Sequence, residues 1–351
     1  RVKECLSDYI DEPTFFGVSM RDEPSYKEVN ALISVYNAVI RAATELGKPD
    51  IYVHMTLMGY FAGTHFGPNK SESGKDYLAY LDKIVKGTNP KVINSDIYIS
   101  RSSVSGNKLC ENAFTTAQAM LNVCKESGAS LSFCLQSFAM YEGSTLKYRR
   151  VSKSEMMLEM YMFMGMGVKQ FAYYTYQPAE YNSGLWKEEG GFLTTGGEKT
   201  NVYYYGKDLM SYAQSMADVI QSYSYLGGKF YFTDGTVNFD NSPYLGTELL
   251  KYDNSYEFNL VKNVAIDNDV VFMTELKDES NDLYMYMVQN VIDPSNGDAG
   301  NTDETVSVSF DASYTWVAEL KDGRLNYVKL NDGVYTKTLS AGHAAFIIPL
   351  K

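Results

Sequence analysis

Along roughly the first 225 residues, short apolar runs rich in β-formers alternate with longer stretches in which apolar residues recur every three or four positions. Phe15-Phe16-Gly17-Val18-Ser19-Met20 reads as a buried strand, and Ser25 with Glu28 after it makes an S-x-x-E capping box that opens a helix. Val29, Leu32, Ile33, Tyr36, Ile40 and Ala43 then keep helical spacing until Gly47 closes it. The same unit recurs. Strand Ile51 to Met58 precedes a helix over 75–86, and strand Asp96 to Ser100 precedes one over 112–127. Strand Leu131 to Phe138 precedes a helix opened by Ser152 and Glu155, and strand Val168 to Tyr176 precedes a helix over 203–223. Five such units in succession predict an α/β fold wound on a parallel sheet.

Beyond Leu226-Gly227-Gly228 the helical period stops. Short alternating segments separated by Asn, Asp and Gly follow, among them Val270 to Leu276, Leu283 to Asn290, Thr305 to Phe310, Thr315 to Leu320 and Ala344 to Ile348. These predict an antiparallel β-sandwich. The chain of 351 residues is long enough for two cores, so two domains are expected, 1–225 and 226–351.

Composition narrows the function. A formal charge of -12 argues against a nucleic-acid partner, which needs a clustered Lys/Arg surface to displace counterions. The 30 Tyr and 17 Phe supply flat apolar faces, many with a hydroxyl, which suit sugars as well as they suit a core. Cys5, Cys110, Cys124 and Cys134 are scattered without a C-x-x-C pair, so neither a zinc site nor a disulfide framework is expected. No apolar run reaches the roughly 20 residues that span a bilayer. The opening at Arg1, without a start Met or signal peptide, is what a fragment would show.

Chemistry in a βα barrel sits where strands end, so the polar residues after each strand carry the functional signal. The first strand ends in Arg21-Asp22-Glu23-Pro24. A carboxyl held between a buried strand and a capped helix is partly desolvated, which keeps it protonated toward neutrality as a general acid. Two acids also suit a helix N-terminus on electrostatic grounds alone.

A strand ending in an acid-Glu-Pro triplet, with four more βα units and a β-sandwich behind it, resembles the fourth strand onward of the clan A (β/α)8 glycoside hydrolases. The resemblance covers residues 1 to about 225 and implies a TIM-type barrel of which this chain supplies five units. It implies Glu23 as acid/base, with Asp22 in the place of the usual Asn beside the sugar 2-substituent. The resemblance fails three strands later. Clan A enzymes carry a nucleophilic Glu there, whereas this strand reads Ser132-Phe133-Cys134-Leu135-Gln136-Ser137-Phe138, and Gln136 cannot attack an anomeric carbon.

Three resolutions stay open. Glu142 or Glu180 supplies the second carboxylate; the Asp22-Glu23 pair works as in substrate-assisted hexosaminidases, with the substrate's 2-acetamido group as nucleophile; or the site binds sugar without cleaving it. Candidate substrate contacts are His54, Tyr98, Gln136, Tyr174, Tyr176 and Trp186, while Asp96 is read as a capping residue at its strand's start. The expected function is thus a secreted or cell-surface glycosidase acting on a β-linked glycan, with no metal and no cofactor. A carbohydrate-binding protein on a degenerate barrel and a structural surface protein are the alternatives. Three barrel strands are missing from the count, to be supplied by upstream sequence or by another chain.

Overall fold

The computed structural model describes residues 1–59, 73–100, 106–178, 186–233, 254–268, 270–291 and 303–351, with side chains left aside at 73–75, 106–112 and 186. After a short helix α1 (Val2–Ser7), the βα units run β1 (Gly17–Asp22) to α2 (Val29–Glu45), β2 (Tyr52–Leu57) to α3 (Ser73–Thr88), and β3 (Val92–Asp96) to α4 (Gly106–Ser127). The fourth strand, β4 (Ser130–Gln136), is followed by a hairpin of β5 (Ala139–Glu142) and β6 (Thr145–Tyr148) before α5 (Lys153–Gly165). β7 (Gln170–Tyr174) is followed by β8 (Trp186–Glu189) and α6 (Asn201–Ile220).

The five-stranded sheet is ordered β1-β2-β3-β4-β7, and the β1-β2, β2-β3 and β3-β4 pairs are parallel. Strand order follows chain order with a helix after every strand, which is the singly wound sequence of a (β/α)8-type barrel; a doubly wound sheet would reverse direction at a switch point. β2 shows the consequence of this winding. Val53, Met55 and Leu57 are buried on one face, while Tyr52, His54 and Thr56 are half-buried on the other.

One expected strand is displaced. The stretch Asp96 to Ser100 is not a strand; β3 is Val92–Asp96, so Asp96 stands at the end of its strand and not at its start. Its apparent polarity has a cause: Asn94 accepts from Ser132 at 2.9 Å and donates to Thr56 at 3.2 Å, and Ser95 donates to the Leu57 carbonyl at 2.8 Å. Buried polar side chains that pair across neighbouring strands satisfy one another and cost little.

The chain's C-terminal part is β9 (Ser224–Phe232), β10 (Val261–Ile266), β11 (Val270–Asp278), β12 (Leu283–Asn290), β13 (Glu304–Phe310), β14 (Trp316–Lys321), β15 (Arg324–Lys329), β16 (Val334–Leu339) and β17 (Ala344–Leu350). A six-stranded sheet β15-β14-β17-β12-β11-β9 faces a three-stranded sheet β10-β13-β16. Val271, Met273, Val288 and Ile347 from the first meet Val306, Val308, Phe310 and Tyr335 from the second, giving the interdigitated core of a sandwich.

By contact, the described residues fall into two compact units. One holds those of Arg1–Ile97 and Thr115–Cys134; the other holds those of Tyr98–Phe114 and from Leu135 onward. In the second unit α5 is buried on every side from Glu155 to Gly165 and packs on β11, β12 and α6. A helix apolar all round belongs in a core, which explains its run of methionines. Cys5 is an exposed free thiol and Cys124 a buried one, and among the described residues no disulfide forms. No helix among the described residues is long and apolar enough to cross a membrane.

Candidate active site

In the first unit, the end of β1 is shaped by a β-bulge. Pairing runs Gly17 to Tyr52, Val18 to Val53 and Ser19 to His54, then skips to Asp22 opposite Thr56. The extra residue changes which side chain shares a face with its neighbours. Without it Arg21 would stand opposite Thr56; with it Asp22 does, and its charge reaches His54. Arg21 turns instead to Glu28, at 2.9 Å.

Glu23 follows in the left-handed region, with φ at 44° and its N–H donating to the Thr56 carbonyl at 2.9 Å. A non-glycine residue there is uncommon and is retained where surrounding structure fixes it. The fixing contacts are visible. The Ser25 N–H and hydroxyl donate to Glu28 at 2.9 and 2.8 Å, forming the capping box ahead of the 3₁₀ turn Tyr26–Glu28 and α2. The Tyr80 hydroxyl, fully buried on α3, donates to the Pro24 carbonyl at 2.8 Å, and neighbouring Tyr77 donates to the Met58 carbonyl at 3.3 Å. Two tyrosines thus pin the segments after β1 and β2.

The Glu23 carboxyl shares a hydrogen bond with Asp96 at the end of β3. Burial raises its pKa above the ordinary carboxylate range; the Asp22 charge raises it further, and the bond to Asp96 opposes both. His54, in hydrogen-bonding range of Tyr52 and Thr56 at 3.4 Å each, is pushed down by burial, with Asp22 opposing. The result is an acid cluster of Asp22, Glu23 and Asp96 beside an imidazole whose charged form burial disfavours. Such a cluster favours the protonated form of Glu23, whose proton can pass to a basic oxygen.

The other candidates lie in the second unit. Tyr98, Phe138, Tyr148 and Tyr174 form an aromatic cluster with ring centroids 4.9 to 6.3 Å apart. Tyr174 is 42% exposed, and its hydroxyl donates to Glu188 at 2.9 Å. Tyr176 is 58% exposed and lies edge-on to Phe192. Trp186 heads β8, paired through the backbone with Glu142, whose carboxylate is held by Lys147 at 2.6 Å.

Gln136 does not face a ligand. Its side chain is fully buried, its carbonyl accepts from the Ser100 N–H at 3.0 Å, and its amide donates to the carbonyls of Phe138 and Arg149 at 2.9 and 3.0 Å. With every polar end bonded to main chain, Gln136 brackets three segments and has nothing left for a sugar. Glu180 lies outside the described residues.

The structure therefore brings Asp22, Glu23 and His54 together in one unit, and Tyr98 and Tyr174 together in the other. Two acids escaped the sequence reading. Asp96 was hidden by the misplaced strand, and Glu188 by its position on a short strand without a motif. Among the described residues no group of three His, Cys, Asp or Glu is arranged to hold a metal.

No family model matches the sequence, and no curated protein matches it. Several solved structures do. A GH30 endoxylanase from Clostridium papyrosolvens is 11% identical, with 99% of this chain and 70% of that chain covered and a TM-score of 0.42. A glucosidase from Croceicoccus marinus is 7% identical over 100% and 74%, with a TM-score of 0.42. An α-amylase from Anoxybacillus is 9% identical over 99% and 72%, with a TM-score of 0.37. Each likeness is weak in sequence and in superposition, and the fold assignment rests on the strand order and register described above.

Proposed function

We propose that the protein is a glycoside hydrolase acting on a β-linked glycan, with Glu23 as general acid and base. The observation that carries this reading is the fixed, partly desolvated Glu23 carboxyl at the end of β1, flanked by Asp22 and bonded to Asp96. In the first step Glu23 gives its proton to the glycosidic oxygen as the bond to the anomeric carbon breaks.

The second group is the finer part of the proposal. Asp96 is hydrogen-bonded to Glu23, closer than the roughly 5 Å or more that separates acid from nucleophile or water base in two-carboxylate enzymes. That favours substrate assistance: the carbonyl oxygen of a 2-acetamido group bonds to the anomeric carbon, Asp22 balances the charge of the resulting ring, and water then opens it while returning a proton to Glu23. A carbohydrate-binding protein without turnover is the second reading. It is favoured by Gln136, which stands where clan A carries its nucleophile and is committed to the backbone.

A secreted or cell-surface location accompanies the proposal, since polymeric glycans are met there. So do further barrel strands, from the same chain or another, continuing the sheet past β1, whose open side borders a groove of about 610 Å³ lined by Leu6, Val18, Met20, Leu32 and Val35. The test is turnover of a panel of aryl β-glycosides that includes 2-acetamido sugars. Hydrolysis of the 2-acetamido members, lost in Glu23→Gln, supports the reading. Binding without turnover favours the second, and turnover untouched by Glu23→Gln overturns the first.

A further inference from the structure

In the first unit the ends of β1 and β3 are held level by the strand between them. Asp22 stands opposite Thr56 on β2, and Thr56 opposite Asn94 on β3. Beyond that row the Glu23 N–H donates to the Thr56 carbonyl at 2.9 Å, and the Ser95 hydroxyl donates to the Leu57 carbonyl at 2.8 Å. Both flanks are thus stitched to the backbone of β2. With neighbouring strands about 4.8 Å apart, β1 and β3 are separated by roughly 9–10 Å. The Glu23 and Asp96 carboxyls therefore meet by reaching toward each other over the end of β2, Glu23 from its left-handed backbone.

Two carboxyls in hydrogen-bond contact need a proton between them, because both cannot ionise at that separation. Among the described residues no cation bears on Glu23 to change this: Arg21 is paired with Glu28 at 2.9 Å, and Asp22 adds a further negative charge. His54 on β2 feels Asp22, but burial disfavours its charged form. From α3, Tyr77 and Tyr80 present fully buried phenols whose ionisation burial opposes, and on β4 the residue paired with Asp96 is the free thiol Cys134. Of the two acids Asp96 is the deeper, 7% exposed, while Glu23 is only partly covered. Burial penalises charge, so the shared proton stays on Asp96 and is offered to Glu23. The bond to Asp96 lowers the Glu23 pKa, as a donor to the ionised form must.

We propose that Asp96 is a positioning residue for the acid/base: a buried carboxylic acid that keeps its proton and donates a hydrogen bond to one oxygen of Glu23. The other oxygen of Glu23 carries the proton that passes to the glycosidic oxygen. The carboxylate left on Glu23 is then steadied by the Asp96 O–H until water returns a proton, and Asp96 itself neither gains nor loses one. The catalytic use of this donor rests on the glycosidase reading above, whereas its protonation does not.

The test is a pH titration of the side-chain carboxyl carbons by NMR in the whole chain, labelled with carbon-13 at Asp and Glu. Asp96 is assigned by its absence in Asp96→Asn, and Glu23 by its absence in Glu23→Gln. Asp96 is expected to keep the chemical shift of a protonated acid from about pH 5 to 7, where ordinary aspartates, with a pKa of about 3.9, have ionised. The Glu23 midpoint should stay close to its wild-type place in Asp96→Asn, whose amide still donates, and move up in Asp96→Leu, which cannot donate. Were Asp96 an ionised acceptor, both substitutions would remove a negative charge and move that midpoint down. On aryl glycosides, Asp96→Leu should lower kcat at least about 10-fold with KM unchanged, and Asp96→Asn should recover most of the loss. A protonated Asp96 in a chain that turns over no glycoside would overturn the glycosidase reading while supporting the hydrogen bond assigned here. Should Asp96→Leu fail to fold, the wild-type titration of Asp96 decides alone. Asp96 titrating with the ordinary aspartates, or a Glu23 midpoint that falls in both variants, would overturn the proposal.

Discussion

Replacing Gln136 by Leu separates a bracket from a sugar contact. Leucine nearly conserves the volume, so the packing loss is small, but three main-chain groups lose their partner: the Ser100 N–H and the carbonyls of Phe138 and Arg149. Ser100 and Phe138 are buried, while Arg149 is half-open to water. At about 1–3 kcal/mol for each buried group left unsatisfied, the two buried ones give about 2–6 kcal/mol, with a smaller part from Arg149. That is a large share of a total stability of roughly 5–15 kcal/mol. Urea unfolding followed by tyrosine fluorescence and far-UV circular dichroism should show a lower midpoint with an unchanged slope. Gln136→Glu should not create a nucleophile, because a carboxylate there would face two carbonyls and the Glu159 carboxyl nearby. A stability loss below about 1 kcal/mol, or loss of sugar affinity at full stability, would refute this assignment.

Three further outcomes are expected. Asp22→Asn removes a charge that raises the Glu23 pKa, so the alkaline limb of the kcat/KM profile should move to lower pH; a profile that stays in place would separate Asp22 from the acid. Glu159 is fully buried, with burial raising its pKa well above the ordinary value, so the folded state keeps a proton that the unfolded chain releases above about pH 4.3. Stability should therefore fall as pH rises from there toward the folded pKa, and Glu159→Gln should flatten that slope in urea titrations across pH 4–8; an unchanged slope would mean the carboxyl is already ionised. Gly342 has a φ of 79°, and a Cβ there would lie 2.1 Å from the Ser154 carbonyl oxygen, so Gly342→Ala should cost about 2 kcal/mol or more and lower the melting temperature by several degrees; a neutral result would show that the turn before β17 can yield.

The parts of the fold legible in the sequence are those written in local signals. The capping boxes at Ser25–Glu28 and Ser152–Glu155 both form, and Leu283–Asn290 is a strand end to end. β3 was misread because its inward polar residues are satisfied across strands by Thr56, Ser132 and the Leu57 carbonyl, which no single-segment pattern reveals. The hairpin β14–β15 turns at Asp322-Gly323, both in the left-handed region. That dipeptide is a strong hairpin signal and was available in the sequence. At the site, Glu23 stood out in the sequence as the central residue of an acid-Glu-Pro triplet after a strand, but the bulge that sets Asp22 opposite Thr56 depends on the register of β1 against β2. Gln136 was misassigned for a related reason: its position at a strand's end suggested a ligand contact, whereas its partners lie 36 residues upstream and 13 downstream.

The central claim, that Glu23 donates the proton in glycoside cleavage, is tested most directly by the leaving-group dependence of Glu23→Gln. Glutamine keeps the shape and removes the proton, so kcat/KM for substrates with poorly acidic leaving groups should fall by roughly 10²-fold or more. Dinitrophenyl glycosides need no protonation to depart, and for them the fall should be small. Equal losses on both classes, or none on either, would contradict the assignment of Glu23 as the acid.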